Sequence, residues 1–310
     1  MKNQPEISIS IVTHNSAKKI QACLNSVLRQ QELAAQSWEI FISDNASADE
    51  TLKKIKRLKK GNRAIQVLSY PKNLGFGGAH NRVLKKARGR FFLILNDDVV
   101  LQPRYLSQLL ERLKSDTRLA AVTGKLRDRK SGVVDTGIYL LTPWRKMLRI
   151  SGRSAEIAQR PGLQGLLGLS TGVTGCAALF RTSCLRQEPF DASYFMYGED
   201  VDVCWRLQKR GYRFAEVSGA IAVHSRSYRF LKRFDVEEYL RARVLINRYF
   251  SVAKNENIAN LLFWAPAYFA YETAQLSYLI LRDPGLLKIY PEMIKRIPAY
   301  LKVRSTKAKR

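Results

Sequence analysis

An α/β fold with helices flanking a sheet follows from three observations. Short β-branched runs alternate with amphipathic stretches through the N-terminal part of the chain. The run FFLIL, Phe91 to Leu95, has no polar position, as befits a strand covered on both faces. Hydrophobic residues make up 46% of the 310 residues, enough for a sizeable core.

The elements follow in order. ISISIV, Ile7 to Val12, is the first strand, a helix runs from Ser16 to Gln31, and WEIFIS, Trp38 to Ser43, is the second strand. Ser47 and Glu50 have the spacing of a capping box ahead of ADETLKKIKRLKK, where Leu52, Ile55 and Leu58 form an apolar stripe and the lysines face solvent. A strand from Ala64 to Ser69 leads into the glycine-rich loop NLGFGGAHN, a basic helix to about Arg88, and the FFLIL strand. Pro103 suits the first position of the next helix, and AAVTGKL reads as a further strand. From Asp128 to Leu169 the pattern weakens into Gly, Ser, Arg and Pro, which predicts a mobile loop or insertion. A strand from Cys176 to Phe180 and an acidic helix then complete a catalytic domain over 1–230, leaving 231–310 as a C-terminal extension.

Charge narrows the partners. The 53 Lys and Arg against 26 Asp and Glu give +27, which asks for an anionic partner: nucleic acid, an anionic membrane surface or a phosphorylated substrate. The polar start MKNQPE lacks a secretory pattern, and Cys23, Cys176, Cys184 and Cys204 show no CxxC spacing, so reduced cytosolic thiols are expected. With only His14, His80 and His224 available, structural zinc is not expected.

Ile258 to Leu281 contains no Lys or Arg and spreads Trp264, Tyr268, Phe269, Tyr271 and Tyr278 along its length. It is long enough to span a bilayer, which takes about 20 residues. Asn260, Pro266, Glu272, Thr273, Gln275 and Ser277 interrupt it, favouring a helix or helical hairpin lying in the membrane interface. The tail beyond Leu281 has nine Lys and Arg against Asp283 and Glu292, a composition that holds such a helix on anionic lipid.

Open parallel sheets bind ligands at the carboxyl ends of their strands. There the first strand supplies Thr13, His14 and Asn15, and the second supplies Asp44, placed to accept hydrogen bonds from a nucleotide base or ribose. In the Asn73 to Asn81 loop, Gly75, Gly77 and Gly78 permit close backbone approach ahead of a helix. FFLIL delivers Asn96, Asp97 and Asp98 at its end, hard oxygen ligands suited to a divalent Mg or Mn ion on a diphosphate. His224, after the apolar AIAV, offers a nitrogen ligand from across the site. Last, FDASYFMYGEDVDVCWRLQKRGY sets Asp191, Glu199, Asp200 and Asp202 among aromatic residues, where a desolvated carboxylate gains basicity toward a hydroxyl.

Taken in this order, from Ile7 to Ser227, the motifs resemble inverting glycosyltransferases of family 2. The resemblance implies a GT-A fold, a Rossmann-like mixed sheet flanked by helices, here with a C-terminal helical membrane-associating extension. It makes Asp200, second residue of the Glu199–Asp200 pair, the base that activates the acceptor hydroxyl. It places Thr13, Asn15, Asp44, Asn73, Gly75, Asn81 and Asp97 at a nucleoside-diphosphate sugar donor, and Asp98 with His224 on a divalent cation. Asn96 stands where the family's DxD motif often begins, so metal binding is carried only onto Asp98, with Asp97 secondary. FDASYFMYGEDVDVCWR looks like bacterial rhamnosyltransferase-type members, which use dTDP-rhamnose. The implied acceptor is a glycan or polyprenyl-diphosphate-linked glycan, and the implied place the inner face of the cytoplasmic membrane, peripherally attached. Asp202 and Arg206 are expected to form a structural pair. Two rival readings are a nucleotidyltransferase, which lacks its phosphate-gripping motif after Val12, and a basic nucleic-acid-binding protein, which leaves the carboxylates unexplained. No specific nucleic acid is expected as partner.

Overall fold

The computed structural model describes residues 4–33, 38–129, 132, 134–142, 147–150, 152–160, 169–225 and 237–307. In chain order the elements are β1 (Ile7–Thr13), α1 (Ile20–Leu28), β2 (Trp38–Asp44), α2 (Thr51–Lys59), β3 (Ile65–Ser69), α3 (Gly75–Leu84), β4 (Phe91–Asn96), β5 (Val99–Leu101), α4 (Tyr105–Ser115) and β6 (Leu119–Asp128). There follow β7 (Val134–Thr136), β8 (Ile138–Leu141), β9 (Met147–Ile150), α5 (Gly152–Ala158), β10 (Ser170–Val173), β11 (Ala177–Arg181), α6 (Thr182–Gln187), α7 (Glu199–Lys209) and β12 (Arg213–His224). The C-terminal helices are α8 (Glu238–Asn255), α9 (Ile258–Phe263), α10 (Ala265–Arg282) and α11 (Ile289–Lys307).

The strand order β3-β2-β1-β4-β11-β6-β12-β5 forms one mixed sheet, with β7 added beside β6. β1 lies parallel to both β2 and β4, and its last residues are in register with theirs: Thr13 with Asp44, and Val12 with Asn96. Three strand ends that carry polar residues are therefore side by side. β11 runs antiparallel to β4, which brings the start of β11 to the end of β4.

The alternation in ISISIVT has a physical meaning on both faces. Ile7, Ile9 and Ile11 enter the core shared with α1 and α4. On the opposite face Ser8 donates to Glu39 at 2.7 Å and Ser10 hydrogen bonds His80 at 2.8 Å. β4 is apolar on both faces, as its sequence requires: Phe91, Leu93 and Leu95 face one core, Phe92 and Ile94 the other.

Two expectations are corrected. The stretch between Asp128 and Leu169 is not simply a loop: among its described residues β8 pairs with β9, and β10, just beyond Leu169, pairs with β8 in a small antiparallel sheet. Each of these strands is four residues long, too short to give a clear period. The capping box at Ser47 and Glu50 does not form; Asp49 instead accepts from the Thr51 amide at 3.0 Å, while the Ser47 hydroxyl accepts from the Asn15 amide at 3.0 Å. The tertiary contact with the first strand's turn wins over the local motif.

The expected boundary at residue 230 falls outside the described residues. Beyond it, α8 is joined to the region before α7 by a third apolar cluster of Tyr194, Leu245, Ile246, Phe250, Leu279, Leu286, Ile289 and Met293. Two of the polar residues that interrupt the 258–281 stretch point inward, while Thr273 and Ser277 are exposed. Glu272 and Gln275 accept from Arg248, the latter at 2.6 Å. The outer surface of α9 and α10 presents Ile258, Leu262, Phe263, Phe269, Ile280 and Leu281, all exposed. Among the described residues no helix is long and apolar enough to cross a membrane.

Candidate active site

At the end of β1, buried Thr13 donates to the Ser43 carbonyl at 3.2 Å, while His14 and Asn15 are exposed. Asn15 has φ 53 and uses its side-chain oxygen to accept from the Ala48 amide at 2.8 Å, so it joins two strand-end loops. Asp44 closes β2 and is 2% exposed, yet its Oδ1 has no hydrogen-bond partner among the described residues. A buried carboxylate oxygen left without a donor is costly unless a ligand supplies one.

Asp97 and Asp98 form the turn that leaves β4. Ser16 donates to Asp97, and burial pushes the Asp97 carboxyl up to about 6 against the pull of that hydrogen bond. Asp98 behaves oppositely. Its Oδ1 is 3.2 Å from His224 Nε2 and its Oδ2 3.5 Å from Lys19 Nζ. Burial acts to raise its pKa, and the His224 hydrogen bond and charge, with Lys19, outweigh burial and hold it below the usual carboxylate value. The end of β4 and the end of β12 are thus joined through two residues distant in sequence.

The Asn96 amide donates to the Cys176 carbonyl at 2.9 Å, and the adjacent Gly175 amide donates to Asp200 Oδ2 at 2.9 Å. Asp200 Oδ1 accepts from the Val201 amide at 2.8 Å. This short relay places the first turn of α7 at the same sheet end as Asp98. Burial raises the Asp200 pKa although both amides favour the anion. Glu199 beside it is 6% exposed, and its Oε2 has no partner among the described residues. Burial first, and then repulsion from Asp200, drives its pKa well up. Asp202 faces away from both: Arg206 Nε lies 2.9 Å and Lys254 Nζ 2.9 Å from its Oδ2, and Asn255 donates to Oδ1 at 2.8 Å. Burial acts to raise the Asp202 pKa, and these cations outweigh it.

The family model for Glycosyl transferase family 2 matches residues 8–187, more than half of the chain. The chain belongs to that family. The family 2 chain is 28% identical over 211 residues to a poly-beta-1,6-N-acetyl-D-glucosamine synthase of Staphylococcus aureus, a match covering 67% of this chain and 47% of that protein. It therefore spans about half the length of the curated relatives it matches. Among solved structures, S. aureus TarS 1-349 in complex with UDP-GlcNAc superposes with a TM-score of 0.62 at 16% identity, covering 96% of this chain and 83% of that one. The mannosyltransferase PcManGT of Pyrobaculum calidifontis, in complex with GDP-Man and Mn2+, gives 0.59 at 18% identity, covering 99% and 87%. These likenesses establish a GT-A-like fold.

Within that family 2 fold, the residues singled out from sequence divide into two groups. Thr13, Asn15, Asp44, Asp97, Asp98, Asp200 and His224 gather at one sheet end. Asn73, Gly75 and Asn81 have contacts that are largely internal. Asn73 accepts from Asn45 at 2.7 Å and from the Gly75 amide at 2.9 Å. Asn81 donates to and accepts from the Phe190 backbone, at 2.7 and 3.1 Å. Gly75 opens α3 rather than lying in a loop; with φ +73, a Cβ there would come within 2.3 Å of the Phe195 carbonyl oxygen. The close approach that these glycines allow is thus between α3 and the Phe190–Phe195 segment. Asn45, Lys19, Gly175 and Lys254 were not found from sequence. Asn45 and Lys19 lie next to recognised motifs, but Gly175 acts through its backbone and Lys254 across a long sequence separation, which leaves no local signal.

Proposed function

We propose that this chain is an inverting glycosyltransferase that moves a sugar from a nucleoside-diphosphate sugar to a hydroxyl of a glycan or lipid-linked glycan in cell-surface polysaccharide synthesis. The observation that carries the reading is the relay from Asp98 through Asn96, Cys176 and Gly175 to Asp200, which sets a cation-seeking carboxylate and a desolvated one at one sheet end. Asp44, buried with an open oxygen, offers an acceptor to a nucleobase or ribose donor group. Thr13 and Asn15 line that donor site, Asn73, Gly75 and Asn81 brace the start of α3 beside it through internal contacts, and Asp97 lies at its diphosphate end.

Asp98 and His224 fit a divalent Mg or Mn ion by their chemistry: a carboxylate and an imidazole face each other, and such an ion on a diphosphate needs only one or two protein groups. Among the described residues no group of three or more His, Cys, Asp or Glu is arranged for a metal, and Asp98 and His224 are the two that would hold the ion, together with substrate oxygens and water. When bound, the ion neutralises charge developing on the leaving nucleoside diphosphate. Asp200 takes the proton from the acceptor hydroxyl as its oxygen attacks the anomeric carbon, and a single displacement inverts that centre. The Gly175 and Val201 amides keep the carboxylate aimed while burial keeps it basic.

The relatives' own donors, UDP-GlcNAc and GDP-Man, define the first panel together with dTDP-rhamnose, which the FDASYFMYGEDVDVCWR segment favours. Nucleoside-diphosphate release is measured with Mn, Mg or chelator. Metal-dependent release from one donor is expected; no release, together with no donor-induced rise in melting temperature, overturns the reading.

The same reading places the protein peripherally on the inner face of the cytoplasmic membrane. Support comes from the outward apolar surface of α9 and α10, with Phe269 76% and Leu281 78% exposed, bracketed by basic residues. Flotation of the full chain with vesicles containing anionic lipid, against neutral vesicles, is expected to show binding only to the former. No flotation with either removes the membrane from the proposal.

A further inference from the structure

Immediately before the helix that carries Asp200, the backbone takes a form that amino acids with side chains avoid. Phe195 has φ 62, Tyr197 φ 67 and Gly198 φ 86. Two non-glycine residues at positive φ within three positions, Phe195 with ψ −61 as the centre of a γ-turn, persist only where the surroundings over-determine them. The surroundings here are chiefly one side chain. Asn247 on α8 is 1% exposed and directs Nδ2 at three carbonyls: Tyr194 at 3.0 Å, Met196 at 2.9 Å and Tyr197 at 2.6 Å. The intervening Phe195 carbonyl accepts from the Phe76 amide of α3 at 2.7 Å. The two N–H bonds of Nδ2 are shared among these three carbonyls, the Tyr194 carbonyl accepts from the Met196 amide as well at 2.7 Å, and with the Phe76 amide all four consecutive carbonyls of the loop have a donor. The side chain also packs directly under the loop, since a Cβ added to Gly198 would lie 3.4 Å from that of Asn247.

Asn247 belongs to a polar stripe on one helix face. One turn on, the Ser251 hydroxyl meets the Tyr194 hydroxyl at 3.0 Å; after another turn Lys254 bridges Asp191 at 2.7 Å and Asp202 at 2.9 Å. This face braces both sides of the segment that leads into Asp200. The Asp200 carboxylate is fixed at its other end by the Gly175 amide, so a shift of the loop tilts the first turn of α7 against a stationary strand end.

We infer that Asn247 is a positioning residue for Asp200: by directing its two N–H donors at the clustered carbonyls of the loop it sets the approach of the base to the acceptor hydroxyl, and α8 is thereby part of the active site. The inference rests on the glycosyl-transfer reading above. No apolar residue supplies N–H donors to these carbonyls, and ionised Asp supplies none.

The experiment uses the full chain and two variants, Asn247→Ala and Asn247→Asp, the second nearly the same size and so keeping the packing. The probe is the nucleoside-diphosphate sugar that the wild type cleaves in the donor panel, with water as acceptor. Melting temperature is followed with and without the matching nucleoside diphosphate and Mn. Turnover is expected to fall by about 10²-fold, the loss typical of an ångström-scale misplacement of a reacting group. The donor KM and the nucleotide-induced melting shift should stay at wild-type values. Wild-type turnover in the variants overturns the inference, as does a parallel loss of turnover and nucleotide response, or failure of both variants to fold, since each reports a purely structural role. If the wild type neither cleaves a donor nor shows a donor-induced rise in melting temperature, the glycosyl-transfer reading fails, and the positioning role falls with it.

Discussion

At the end of β4, Asp98 sits against the His224 imidazole and the Lys19 ammonium, whereas at the start of α7, Asp200 meets two backbone amides and a dry environment. Both are aspartates at the same sheet end, yet the first is held below the usual carboxylate pKa and the second above it. Burial acts on each in the same direction, so the partners decide. A group meant to stay anionic beside a diphosphate needs positive neighbours; a group meant to accept a proton needs their absence. Asp202, two residues from Asp200, shows that α7 can build either environment, because Arg206 and Lys254 hold that carboxylate low.

The comparison breaks first at Asp200. Asp200→Asn is expected to lower transfer by about 10²- to 10⁴-fold, the usual worth of a general base, with donor affinity unchanged in equilibrium binding. Lost donor binding would remove the base assignment.

Arg206→Met tests the contrasting carboxylate next door. The side chain is 6% exposed, pairs with Asp202 and Glu188, and its removal leaves two buried anions short of a partner. Unfolding in urea should show a loss of about 3–5 kcal/mol. At the other edge, Asp98→Asn should weaken Mn-dependent donor binding by about 10- to 100-fold while leaving metal-free nucleotide binding nearly intact, as read by titration calorimetry. Equal losses with and without Mn would argue against a metal at that edge.

Glu199→Gln gives a smaller effect of opposite sign. The folded pKa of Glu199 is raised, so the folded chain holds this proton more tightly than the unfolded chain does. Stability is therefore greatest below the unfolded value of about 4.3 and declines as pH rises toward the folded pKa, by about 1.4 kcal/mol per unit of separation. Removing the charge should raise the melting temperature at pH 7 and change it little at pH 4. Finally, because the Asp200 pKa is raised, the acid limb of the turnover profile should lie above the ordinary Asp value of about 3.9 and vanish in Asp200→Asn.

Much of the sheet was legible because its signals are local. ISISIVT states its burial by its alternation and FFLIL by its lack of any polar position, and Asp44, Asp97 and Asp98 follow from standing at the carboxyl ends of neighbouring parallel strands. The Glu199–Asp200 pair was legible from its aromatic neighbours. The small sheet between Ile138 and Val173 was not, since its four-residue strands give periodicity too little length. The polar interruptions at Glu272 and Gln275 were read correctly as weakening a membrane span, but their direction, inward to Arg248, is a packing fact.

The sequence by itself determined that this is an α/β chain of glycosyl transferase family 2, which strand ends carry carboxylates, and that the C-terminal part is apolar between basic flanks. Those properties depend on residue type and short spacing. Tertiary structure alone decided that His224 meets Asp98, that the Gly175 amide aims Asp200, and that Asn247 holds the loop before it. Each of those contacts joins segments 25 or more residues apart, and only the folded sheet and the helix packed beside it bring such partners within 3.2 Å.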